Sequence, residues 1–295
     1  MAYREHRFTT RDGLSLHFRD YGDPDSAATP VLCLAGLFRN ARDFDPCARR
    51  LAGERRVLCL DLRGRGRSDY DPDWRNYQPG TYIGDISQLL ALANVHRVVV
   101  AGTSFGGVLA MGLGALMPLT LAGVVLNDVD PAIDQDKLNG ILDYIRADHP
   151  QPDWESAAEA IRTRMPSAVF QTEAMFEAMV HNTYREGTDG WLHFDWDVNI
   201  VRPITEDQAG PPDLWPYFRG LRPIPLLAFR GEVSDVFPEA CFLRMGREYP
   251  EARLMNVPRT GHAPTLTEPE CVAALDEFLR GIDQGRFAAS VSTQR

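Results

Sequence analysis

Short, unbroken apolar runs recur along this chain, and helix-like segments lie between most of them. The runs fall at residues 31–34, 57–60, 98–101, 124–126 and 226–229, and a strand-like segment with polar residues at 253 and 256 follows at 253–257. A run of that length without polar alternation is what a strand covered on both faces requires. The helix-like segments are 40–51, 81–93, 106–116, 238–248 and 268–282. Strands and helices that alternate in this way predict a mostly parallel central sheet with helices on both faces, an α/β architecture. Two further strands are predicted ahead of it, at 3–9 and 14–21. They are joined at Arg11-Asp12-Gly13, where Asp-Gly between strand-like runs signals an antiparallel hairpin.

One stretch breaks the alternation. Residues 131–220 contain no buried-strand run but hold helix-like segments at 134–147, 154–163 and 171–185, then an aromatic, proline-punctuated segment. It is too long for a connecting loop. The reading is therefore a core domain made of residues 1–130 and 221–295, carrying a mainly helical insertion at 131–220. Residues 285–295 are small and polar and read as a frayed tail.

A net charge of −10 and a pI near 5.2 argue against an extended nucleic-acid surface, which needs local positive charge. The N-terminal residues show no secretory pattern, and no run reaches the length of a membrane span. The five cysteines have neither CxxC spacing nor the density of a disulfide scaffold. These features suit a cytoplasmic protein with no nucleic-acid or membrane partner, and they leave the oligomeric state open.

The sharpest local signal is Gly102-Thr103-Ser104-Phe105-Gly106-Gly107, which follows the run ending at Ala101 and precedes an apolar helical segment. This is G-x-S-x-G between a buried strand and a helix. The serine is held on a tight, strained turn whose flanks have no room for side chains. Of the seven histidines, only His262 lies just after a buried strand and before the last helix, in Thr260-Gly261-His262-Ala263-Pro264. Loops leaving the carboxyl ends of parallel strands share one edge of the sheet, so His262 can meet Ser104 there. An acid should come from another such loop. Asp235, in Gly231-Glu232-Val233-Ser234-Asp235, is favoured over Glu232, which sits where the turn itself forms. Asp128 and Asp130, after the run 124–126, remain its rivals.

Together these segments resemble the α/β-hydrolase family over nearly the whole chain outside the insertion. Asp61-Leu62-Arg63-Gly64-Arg65-Gly66-Arg67-Ser68 is similar to that family's loop after the fourth strand. Leu34-Ala35-Gly36-Leu37 is similar to its His-Gly loop, with Ala35 in place of the usual histidine. The resemblance implies a Ser104–Asp235–His262 triad, in the chain order usual for the fold. It also implies an oxyanion hole from the backbone N–H groups of Leu37 and Phe105, and a helical cap at 131–220. Trp191, Trp196, Met175 and Met179 are candidates to line an apolar substrate pocket under that cap.

The implied activity is hydrolysis of a carboxylic ester or lactone of a small apolar or aromatic molecule through an acyl-enzyme, with no metal or organic cofactor. A serine at the elbow argues against the aspartate-nucleophile dehalogenases and epoxide hydrolases. Carbon–carbon hydrolysis of diketone-like compounds is the alternative, and a non-catalytic ligand-binding protein on the same fold is a third reading.

Overall fold

The computed structural model describes residues 3–165, 168–206 and 212–287. Before the insertion come β1 (Tyr3–Thr9), β2 (Ser15–Tyr21), β3 (Val31–Leu34), β4 (Val57–Leu60), β5 (Val98–Thr103) and β6 (Leu121–Asn127). Within it lie the short β7 (Tyr184–Glu186) and β8 (Leu192–Phe194), and after it β9 (Leu226–Gly231) and β10 (Arg253–Val257). Eight strands make one sheet in the order β1-β2-β4-β3-β5-β6-β9-β10. The β1–β2 pair is antiparallel, with Thr9 opposite Ser15, and Gly13 takes φ +93° in the turn. From β4 to β10 every pairing is parallel, so the loops after these strands emerge along one edge.

The helices that precede the insertion are α1 (Asp45–Leu51), α2 (Pro79–Leu92) and α3 (Phe105–Leu116). The segment expected as one helix over 40–51 splits instead. A single 3-10 turn at Ala41–Phe44, capped by the Asn40 side chain, leads into α1, where Pro46 sits in the first turn. In the insertion come α4 (Gln135–Ile145), α5 (Trp154–Arg164), α6 (Glu173–Thr183), α7 (Arg202–Thr205) and α8 (Trp215–Gly220). They are followed by α9 (Glu239–Glu248) and α10 (Pro269–Asp283). The caps explain several starts, since the side chains of Asp134, Asp153 and Thr172 accept bonds from first-turn N–H groups of α4, α5 and α6.

Alternate residues of the central strands serve opposite faces. Leu32, Leu34, Leu58, Leu60, Val98 and Val100 pack with α2 and α3, while Val31, Cys33, Val57, Cys59, Val99 and Ala101 pack with α1 and α10. All twelve are buried. Burying each valine or leucine stabilises the fold by about 1.5–3 kcal/mol, so the unbroken apolar runs are a direct consequence of cover on both sides.

The insertion contributes the β7–β8 hairpin, which the sequence reading did not anticipate. Its strands have three residues each, and Gly190 at φ +83° supports the turn between them. The apolar cluster of the α2–α3 face continues into the insertion through Leu142, Ile161, Phe176, Phe194 and Trp196. Hydrogen bonds tie the insertion to three loops at the parallel edge. Gly66 N–H donates to Asp195 C=O (2.9 Å), Gly261 N–H to Val169 C=O (2.9 Å), and Arg39 Nη1 to Thr183 Oγ1 (2.5 Å). The tail expected at 285–295 lies outside the described residues from 288 onward. Among the described residues, no helix is long and apolar enough to cross a membrane.

Candidate active site

Ser104 sits between β5 and α3 with φ +51° and ψ −117°, a region that L-residues seldom adopt. Two glycines make the turn possible by allowing backbone to meet backbone. A Cβ on Gly102 would lie 2.3 Å from Gly106 C=O, and one on Gly106 would lie 2.0 Å from Leu34 C=O. The Ser104 N–H donates to Asn127 C=O at the end of β6 (2.9 Å), which locks the turn to the neighbouring strand. The side chain is half-buried at the start of a twelve-residue helix, where first-turn N–H groups lack intrahelical acceptors and favour negative charge.

His262, in the loop after β10, is 19% exposed and places Nδ1 2.6 Å from Asp128 Oδ2. Asp128 is fully buried directly after β6, with φ +51°. Its Oδ1 accepts from Gly231 N–H (2.7 Å), and its Oδ2 accepts from Ser234 Oγ (2.6 Å) as well as meeting His262. A buried carboxylate with this many donors has its desolvation offset. Asn127, the residue before it, donates through Nδ2 to Pro264 C=O (2.7 Å) and to Thr103 Oγ1 (3.0 Å). The histidine loop is thereby fastened to the ends of β5 and β6.

The expectation for Asp235 is corrected by this geometry. Ser234 is the residue of that loop that turns inward, and Asp235, next to it, is exposed, its carbonyl accepting from Lys137 Nζ. Glu232 accepts from Arg259 N–H (2.8 Å) and braces the loop. Asp130, the other rival, accepts from Ala132 N–H (2.7 Å); burial pushes its carboxyl above the usual range, against that bond. Sequence reasoning had weighed Asp128 but missed Ser234 and Asn127, whose roles depend on side-chain direction at strand ends.

The turn at Gly36–Arg39, closed by Arg39 N–H to Gly36 C=O (3.1 Å), stands beside the elbow. A Cβ on Gly36 would lie 3.7 Å from Ser104 Cβ. Leu37 and Phe105 therefore flank Ser104 on two sides, both half-buried. Trp196 is buried, stacks on Phe194 with ring centroids 4.0 Å apart, and lies 5.1 Å from the ring of Phe38. Met179 is half-buried on α6, and its carbonyl accepts from Thr183 Oγ1 (2.7 Å) and Arg39 Nη2 (3.4 Å). Met175 is half-buried in the first turn of the same helix. Trp191 is 45% exposed next to β8 in the β7–β8 hairpin, whereas Trp196 is buried. Among the described residues, no group of three or more His, Cys, Asp or Glu side chains could hold a metal ion.

The sequence profile described as the alpha/beta hydrolase family matches residues 31–275. The chain belongs to that family. A 3-hydroxybutyrate-oligomer hydrolase from Cupriavidus necator is 31% identical over 272 residues, covering 90% of this chain and 92% of that protein. The crystal structure of an alpha/beta hydrolase from Novosphingobium aromaticivorans superposes with a TM-score of 0.87 at 40% identity, covering 95% of this chain and 99% of the other. A 2-(acetamidomethylene)succinate hydrolase from Mesorhizobium japonicum is 26% identical over 259 residues, covering 84% of this chain and 87% of that protein. The fold is thus that of an alpha/beta hydrolase, and the chain is a hydrolase by family.

Proposed function

We propose that this hydrolase cleaves carboxylic esters through an acyl-enzyme, with Ser104 as nucleophile, His262 as base and Asp128 as the acid that orients it. The observation that carries this reading is the 2.6 Å contact between His262 Nδ1 and buried Asp128, on the sheet edge that bears the Ser104 elbow. With Nδ1 engaged by the carboxylate, Nε2 is the nitrogen left to take the proton of Ser104 as Oγ attacks the carbonyl. The tetrahedral oxyanion is held by the N–H groups of Leu37 and Phe105, a single such donor being worth about 3 kcal/mol of barrier. The C–O bond then breaks, and the imidazolium returns its proton to the leaving alcohol. Water, deprotonated by His262, releases the acid. These side chains suffice for the chemistry, so a chelator leaves the rate unchanged.

Short oligoesters of a hydroxy acid are the proposed substrate class. The extent of the likeness to the 3-hydroxybutyrate-oligomer hydrolase supports this. The apolar, half-buried Leu37, Phe38 and Phe105 around the elbow suit a short acyl chain. The test is hydrolysis of p-nitrophenyl butyrate and of 3-hydroxybutyrate trimer by the wild type and Ser104→Ala. Release of hydroxy acid by the wild type, lost in the variant, is expected. Equal rates in both proteins would end the proposal, and a ketone among the products would move the reaction to carbon–carbon cleavage.

A further inference from the structure

Two arginines two residues apart are buried in opposite ways. Arg63, 1% exposed, meets the carboxylates of Asp71 (2.6 Å), Asp85 (2.6 Å) and Asp12 (2.7 Å). Arg65, fully buried, has no carboxylate within ion-pair distance among the described residues. Its Nε donates to Leu37 C=O (2.8 Å), and its Nη1 donates to Arg63 C=O (2.7 Å) and Tyr82 Oη (2.6 Å). The ring centroids of Tyr82 and Tyr77 lie 4.9 and 5.8 Å from the guanidinium carbon, and buried Nη2 has no hydrogen-bond partner among the described residues. The acids nearest in the network are already engaged. Asp85 pairs with Arg63, and Asp197 accepts from Tyr77 Oη (2.7 Å).

A guanidinium does not give up its proton, so this is a permanent charge in a dry environment, offset only by neutral acceptors and ring faces. Bracing alone is a poor reason for it. A paired arginine such as its neighbour, or an apolar side chain, would brace the loop at less cost. Its place explains it better. Through Leu37 C=O it pins the turn that carries one proposed oxyanion donor. Through Tyr82, whose ring meets Phe105 edge-on at 5.6 Å, it backs the other. The Arg65 backbone also bridges to Trp196, whose ring lies against Phe38.

We propose that Arg65 is a positioning residue of the oxyanion site. It fixes the Leu37 turn and supplies a positive charge that no carboxylate contacts directly, behind the two donors, so it favours the tetrahedral anion over the ground-state ester. This rests on the serine-hydrolase reading above. A charge fixed before the reaction, in a site closed to water, acts most strongly on charge that develops there. At 0% exposure Arg65 does not itself touch substrate, and its effect belongs in kcat rather than KM.

The experiment uses the full chain with Arg65→Lys, Arg65→Gln and the milder Tyr82→Phe, each checked for folding by thermal melting. The readouts are kcat and KM on p-nitrophenyl butyrate, and the inhibition constant of butylboronic acid, which adds to Ser104 Oγ as a tetrahedral anion. Expected is a fall in kcat of roughly 100-fold for Arg65→Gln, with KM within about twofold and boronate affinity weakened in step. Arg65→Lys keeps the charge and loses the fork, so it falls between. Tyr82→Phe keeps the ring and removes one of the two acceptors of Nη1, lowering kcat a fewfold with the same pattern. Folded variants with wild-type kcat and boronate affinity, or with the loss in KM alone, overturn the proposal while leaving the hydrolase reading intact. If Arg65→Gln does not fold, an unchanged boronate affinity in Tyr82→Phe overturns it. A wild type with neither Ser104-dependent hydrolysis nor boronate binding removes the oxyanion, and both readings fall together.

Discussion

The loops after β6 and β9 both leave the same edge of the sheet, and both carry aspartates within a few residues of a buried strand. They divide the work differently. Asp128, immediately after β6, turns inward at φ +51° and is fully buried, with His262, Ser234 and the Gly231 N–H around its two oxygens. Asp235, four residues beyond the end of β9, is exposed, and the inward position in its loop belongs to Ser234. The β9 loop thus contributes donors, and the β6 loop contributes the charge they hold. Sharing one edge decides only which residues can approach the histidine. Which of them does so is decided one side chain at a time, by direction.

The most severe way to break this contrast is Asp128→Asn. The amide keeps the shape but presents an N–H2 or a neutral oxygen to a histidine that needs an anionic acceptor at Nδ1, so the tautomer competent as a base is lost. A fall in kcat of roughly 10⁴-fold is expected on p-nitrophenyl butyrate. Activity within tenfold of the wild type would return the acid to another residue.

How far the sequence could lead follows from the same contrast. The sheet was legible because every central strand is covered on both faces and so reads as an unbroken apolar run. The elbow was legible because a Cβ on Gly102 or Gly106 would fall 2.3 or 2.0 Å from a backbone carbonyl oxygen, and His262 stood out because no other histidine follows a strand on that edge. The acid was not. Asp128, Asp130 and Asp235 satisfy the same positional rule, and what separates them is a positive φ and the inward turn of Ser234. The two tryptophans are separated in a similar way. Trp191 and Trp196 are close in an aromatic segment, yet a three-residue hairpin too short to leave a pattern exposes one and buries the other.

Ser234→Ala sharpens the contrast at a smaller scale. It removes one of the donors on Asp128 Oδ2 while Gly231 N–H still holds Oδ1. A hydrogen bond to a charged group contributes about 1.5–3 kcal/mol, only part of which reaches the transition state, so kcat should fall roughly tenfold. A thermal melt run beside the kinetics separates orientation from simple destabilisation. An unchanged kcat in a variant with a lowered melting temperature would reduce Ser234 to a packing residue.

The insertion offers a third buried carboxylate. Burial pushes Asp195 up to about 6, against the pull of Arg42 at 2.7 Å and with a further push from Asp61. Its value in the fold lies above the ordinary 3.8, so the folded state binds more protons than the unfolded chain between about pH 4 and 6. Stability contributed by this group is therefore present below that window and is lost as pH rises through it. Asp195→Asn should abolish that dependence, a difference of ~2 kcal/mol between the ends of the window. Urea melts of both proteins at pH 4 and pH 7 measure it, and parallel pH trends in the two would contradict the assignment.

Asp235→Asn is the mildest change and the one that tests the comparison from the other side. The carboxylate is exposed, and the bond that ties residue 235 to the insertion comes from Lys137 Nζ to the backbone carbonyl, which the substitution leaves in place. The inward Ser234 and its contact with Asp128 are likewise untouched. An exposed charge near a cation contributes at most about 1 kcal/mol and is screened by salt. Kinetic constants on p-nitrophenyl butyrate should therefore stay within about twofold of the wild type. A loss approaching that of Asp128→Asn would mean that the β9 loop turns its aspartate inward during turnover. The acid would then belong to a rearranged loop and not to the buried carboxylate that β6 presents.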